Sequence, residues 1–161
     1  MTIARVLIWL VLYVCLVVHM ATYAGINPKV LWPSVTATLH IVVCLLVGAV
    51  IVALRMGEGG AKRKLLAGAS VGQKRWLTVL GVYTIVNFVV SSSFNEWASP
   101  MMNDGRKVLQ HRVTVVRVLT DAEYEIHQRV DVRRSSGHWI VFLAFALAAL
   151  RVREREESAK S

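Results

Sequence analysis

The only two cysteines of the chain pair with two histidines in mirror order: Cys15 and His19 lie in one uncharged stretch, His40 and Cys44 in the next. Residues four apart share a helix face. In two antiparallel neighbouring helices the imidazoles would match in depth to ~3 Å, with each sulfur about one turn deeper. Four N and S donors suit Zn²⁺ or a copper ion. His19 and His40 alone would suit haem iron, ligated from both sides. A Cys15–Cys44 disulfide is a third outcome. The plainer reading is preferred. A neutral histidine near the membrane surface bonds a backbone carbonyl or a threonine, and cysteine serves as a small buried hydrophobe. No CxxC or HxxxH pattern accompanies the four residues.

Other polar groupings are weaker. Thr84, Asn87 and Ser91 share a helix face, a pattern that more often ties helices together than lines a substrate path. His138-Trp139 reads as an interfacial anchor, with His138 a candidate to join His19 and His40 in a wet cluster. His111, His127, Glu123 and Glu125 offer acid–base groups, although a solvated face looks the same. The sequence holds no GxSxG, HExxH, phosphate-binding glycine loop or paired-carboxylate motif. The case for an enzyme is poor, and no residue is assigned to catalysis.

The elements that must position these groups are long and apolar. Hydrophobic residues make up 55% of the chain and charged residues 18%, with a mean hydropathy of +0.51; soluble domains carry about 25% charge. Uncharged blocks cover about 6–24 and 33–54, a more polar one 76–97, and a short one 137–152. Crossing ~30 Å of hydrocarbon takes about 20 residues. The first two blocks meet this. The third meets it if the helix continues through Trp97. The last falls short unless Arg151 and Arg153 snorkel outward. The expected fold is an all-α integral membrane protein in one domain. It is a four-transmembrane-helix bundle, or three if the last segment does not span, with a small α+β extramembrane segment between helices 3 and 4. Trp9, Trp32, Trp76, Trp97 and Trp139 all fall near block ends, where indole prefers the headgroup region.

The loop 55–75 carries Arg55, Lys62, Arg63, Lys64, Lys74 and Arg75 against Glu58. Such loops stay cytoplasmic. Both termini are then cytoplasmic, tail 153–161 included, and 98–136 lies outside a cell (inner) membrane. The net charge of +9 becomes a topology signal beside anionic lipid, at ~1 kcal/mol per basic residue. Nucleic acid is not an expected partner. Arg5, an apolar run and Thr22-Tyr23-Ala24 also fit a cleavable signal peptide, but the nearly full-length span favours retention.

In the outer segment, Ser99-Pro100 breaks the preceding helix, Asn103-Asp104-Gly105 marks a turn, and Val108 to Leu119 reads as one β-branched strand. Thr120 and Glu123 form a capping box for a helix to about Arg134, with Glu125 and Arg129 as an i,i+4 pair. One strand and one helix bury little. The segment must rest on the spans, on lipid or on another protein. Two outcomes are weighed. The strand curls onto its own helix, or it pairs with a partner or a second copy through Val113, Val115, Ile126 and Val130. The expected function is non-catalytic protein interaction, as an accessory subunit or immunity-type partner. The alternatives are a haem- or metal-binding redox protein on Cys15, His19, His40 and Cys44, and a small transporter or channel subunit.

Overall fold

The computed structural model describes residues 3–55 and 68–158. Lys62, Arg63, Lys64 and Glu58 of the basic loop, and the last residues of the tail, lie outside the described residues. Helix α1 spans Ile3–Tyr23, a short α2 Pro28–Leu31, α3 Val35–Arg55 and α4 Val71–Phe94. Strands β1 (Ser99–Asn103), β2 (Arg106–His111) and β3 (Thr114–Val118) follow, and α5 (Asp121–Ser158) completes the chain. Four of these helices, α1, α3, α4 and α5, are long and apolar enough to cross a membrane.

Local chemistry sets the ends. Helix α1 stops where Gly25 takes φ +82°. The Ile26 amide then donates back to Ala21 O at 3.0 Å, the closing bond of a glycine-terminated helix. Asn27 caps α2 by accepting the Lys29 amide, with Pro28 in the first turn. Helix α4 begins earlier than the apolar block suggested, because Ser70 and Gln73 form a capping box. It also ends earlier, at Phe94: Glu96 (φ 52°) and Trp97 (φ 56°) are left-handed and reverse the chain.

The outer segment differs from expectation in two ways. Val108 to Leu119 is not one strand. The chain turns at Arg112 (φ 56°) and Val113, so β2 and β3 form a hairpin. The β-branched run hid the turn, because no Gly, Asn or Pro marks it. With β1 the result is an antiparallel sheet in the order β1-β2-β3. The β1–β2 connection uses Asp104 (φ 47°) and Gly105 (φ 73°), as the turn signal required. Second, the helix capped by Thr120 and Glu123 does not stop near Arg134. It runs on as α5 for 38 residues, ~57 Å at ~1.5 Å per residue. The shortness of the last apolar block is therefore one of composition, not of helix length.

Helix α5 is the axis: α1, α3 and α4 each pack on it, while α1 and α3 touch each other little. The core gathers Ile8, Leu12 and Cys15 of α1, Val35, Leu39 and Val43 of α3, and Trp139, Leu143 and Leu147 of α5. Trp139 is 2% exposed and packs inside this core, where the expected interfacial anchor would face outward. A second small cluster, Ala98, Leu109 and Leu119 with Tyr124 against it, seats the sheet on the start of α5. Covering Leu109 from water contributes about 2 kcal/mol, which ties the hairpin to the bundle.

Candidate functional site

The polar groups inside the bundle converge on His19. Its Nδ1 lies 2.7 Å from Ser136 Oγ of α5, and its Nε2 bonds the Tyr83 hydroxyl of α4. Tyr83 and Tyr23 hydroxyls are 3.1 Å apart. Ser136 Oγ also donates to Val132 O at 2.7 Å. One assignment uses every contact. Tyr23 donates to Tyr83, Tyr83 to Nε2, Nδ1–H to Ser136, and Ser136 to Val132 O. A Ser–His contact is half of a nucleophile–base pair. Here the serine is wholly buried and its hydrogen already has an acceptor. The Tyr23, Tyr83 and His19 contacts each cross between helices, and Ser136 donates back into its own, so the cluster acts as a tie between α1, α4 and α5.

The stripe on α4 belongs to the same tie. Asn87 Nδ2 donates to Arg133 O at 3.1 Å, and Thr84 Oγ1 reaches Gly137 O at 3.4 Å. Ser91 donates to Asn87 Oδ1 at 3.5 Å. Gly137 sits at this crossing, and a Cβ there would force the Asn87 side chain to shift.

The four mirror residues do not gather. Cys15 and His19 are buried, whereas His40 and Cys44 are exposed on α3. His40 accepts from Trp139 Nε1 at 3.4 Å and faces Cys44 Sγ at 3.7 Å. Both thiols are free. Among the described residues no group of three or more His, Cys, Asp or Glu side chains is placed to hold a metal ion. The physical reason is the position of α5. It packs against both α1 and α3, so the two histidines bond to different neighbours. His138 likewise joins no cluster. Its Nδ1 takes Arg134 O at 2.7 Å, and its ring meets Phe88 edge-on at 5.2 Å.

Outside the apolar stretches a second network joins sheet to helix. Arg117 of β3 reaches Glu96 (3.2 Å), Glu123 (2.8 Å) and His127 Nε2 (3.0 Å). A guanidinium only donates, so Nε2 must accept and the proton sits on Nδ1. It is given to Asn95 Oδ1 at 2.8 Å, and Asn95 Nδ2 in turn donates to His127 O at 3.2 Å. Burial lowers the His127 pKa below the usual histidine value, and Arg117 adds to this. Glu123 is held down to about 2, first by the Thr120 amide and then by Arg117. His111 and Glu125 take no part in this network, and Arg129 donates to Gly25 O at 2.6 Å instead of pairing with Glu125.

The sequence reading missed how many arginines of α5 serve other helices. Arg133 donates to Thr22 O (2.8 Å) and Thr22 Oγ1 (3.2 Å) and lies 4.0 Å over the Tyr23 ring. Arg153 donates to Ala53 O at 3.0 Å. These cations cap the carbonyl ends of α1 and α3, where the helix dipole favours them. Helix α1 has no basic residue of its own in its last turn, which was the available signal.

Of the expected partner residues, Val113 is 91% exposed at the hairpin tip, and Val115 and Ile126 are also exposed. Val130 is buried. No family model matches the sequence, and no curated protein or solved structure shows significant similarity to it.

Proposed function

We propose that this is a multi-pass membrane protein that acts without catalysis, by binding another protein through its extramembrane sheet. The observation that carries the reading is the outer strand β3. It pairs with β2 on one side only, and Val115, Val116 and Val118 along it are exposed. An open edge of β-branched residues is a template for an added strand. Arg106 and Arg112 of the hairpin enter no ion pair among the described residues. Their charge favours a neutral or acidic partner segment over a second copy of the same basic hairpin. In this reading the basic loop faces the cytoplasm and the sheet the opposite side.

A photo-crosslinking residue at Val113, at the tip beside the edge, tests the idea in native membranes. One discrete adduct heavier than the protein is expected, and Val116→Lys should remove it by setting a charge on the edge. An adduct that survives Val116→Lys, or none, would sink the proposal. A product of twice the chain mass would show a second copy in the partner's place.

A further inference from the structure

A cavity of about 310 Å³ opens between the ends of α1 and α4 and the first half of α5. Arg129 and Arg133 line one side, and Val90, Phe94 and Ile126 line another. Neither arginine enters an ion pair among the described residues. Their bonds go to the neutral groups of Thr22 and Gly25. Each guanidinium has five N–H donors. Arg129 spends one and Arg133 two on those groups, so most of the donors have no protein acceptor among the described residues. Nearby, Asp131 is already shared by Lys29 at 3.0 Å and Arg134 at 2.6 Å. Cations therefore outnumber anions around the opening.

The apolar wall continues away from the cavity. Val90, Val86, Val82 and Val79 are spaced three or four apart on α4 and all are exposed, forming a track down the helix. The cavity lies where the apolar helices α1 and α4 end, at Tyr23 and Phe94, and the end of a membrane-spanning helix is where headgroups are met.

We propose that this cavity binds the phosphate headgroup of an anionic membrane phospholipid. Arg129 and Arg133 take the phosphate, and one acyl chain lies along Val90 and Val86. Paired arginines match phosphate oxygens in charge and geometry. The site is separate from the β3 edge, and either proposal stands if the other fails.

The test is fluorescence anisotropy of a short-chain fluorescent phosphatidylglycerol titrated with the detergent-purified full chain. Saturable binding is expected, weakened about fivefold or more by Arg129→Gln. Ile126→Trp, which fills the wall and keeps both guanidiniums, should weaken it similarly. Arg155→Gln, at the far end of α5, should leave it unchanged. If Arg129→Gln does not fold, Ile126→Trp decides alone. Wild-type affinity in both cavity variants would overturn the site, as would equal binding of the phosphatidylcholine analogue. Displacement of the probe by millimolar inorganic phosphate would overturn the lipid assignment and leave a site for free phosphate.

Discussion

Ser92 of α4 and Ser136 of α5 are both completely buried, but only Ser136 has a use for its hydroxyl. Ser136 receives from His19 and donates to Val132 O. Ser92 Oγ has no hydrogen-bond partner among the described residues. Replacing either by alanine brings the same small gain in helix propensity, so the difference between the two variants isolates the hydrogen bonds. Ser136→Ala leaves a histidine nitrogen buried without a partner and should cost about 1–2 kcal/mol. Ser92→Ala removes an unpaired hydroxyl and should be neutral or stabilising by up to about 1 kcal/mol. Thermal unfolding of both in one detergent checks this. Equal shifts would mean that His19 does not depend on Ser136. Of this site, the sequence made His19 legible as a polar residue in an apolar helix. Its partners were not legible, because Tyr83 and Ser136 sit on helices whose rotation no local pattern fixes.

At the scale of elements, the crossing of α4 over α5 depends on Gly137. Glycine normally weakens a helix interior by up to about 1 kcal/mol relative to alanine. Gly81 shows that ordinary case, since a Cβ there meets nothing. Gly81→Ala should therefore stabilise by up to about 1 kcal/mol. Gly137→Ala should destabilise by about 1–3 kcal/mol, because Asn87 must move and give up Arg133 O. Unfolding temperatures of the pair decide it, and a shared sign would remove the close crossing from the account. The same glycine explains why α5 was misread. The sequence reads as a helix end near Arg134, where composition turns from polar to apolar ahead of the block that opens at Gly137. In the fold, Ser136 bonds back into its own helix and Gly137 admits α4, so the helix runs on. The other long helices were readable from hydropathy, and the Thr120–Glu123 capping box was readable as well. It appears with the Thr120 amide at 2.8 Å from Glu123 Oε2. The β2–β3 turn was not readable, since Arg112 adopts its left-handed backbone with no residue-type signal.

For the whole molecule, α5 joins the sheet to the bundle, and the joint should be sensitive to acid. His127 accepts from Arg117 through Nε2, so it holds its place only while neutral. The groups around it are Arg117, Glu96, Glu123, Asn95 and the Phe94 ring at 5.3 Å. The two carboxylates favour the charged form, but burial and Arg117 outweigh them, and the folded pKa lies below the usual value. The folded state then binds fewer protons than the unfolded one as pH falls, so stability is lost in that direction. The contribution of His127 is whole above the ordinary histidine value of about 6.5 and declines as pH falls through its lowered pKa. Glu123 acts in the same direction but later. Its contribution is whole above the usual carboxylate range and is lost only as pH approaches about 2. The unfolding temperature should therefore drop between pH 7 and pH 5, before the carboxylates matter. His127→Gln keeps a polar group without a proton to gain, so it should lower stability at pH 7 and flatten the profile in that window. A variant with the wild-type pH slope would place the acid sensitivity elsewhere. Loss of the joint would free β3 and its hairpin from α5, so the proposed partner binding at the β3 edge should weaken over the same pH range.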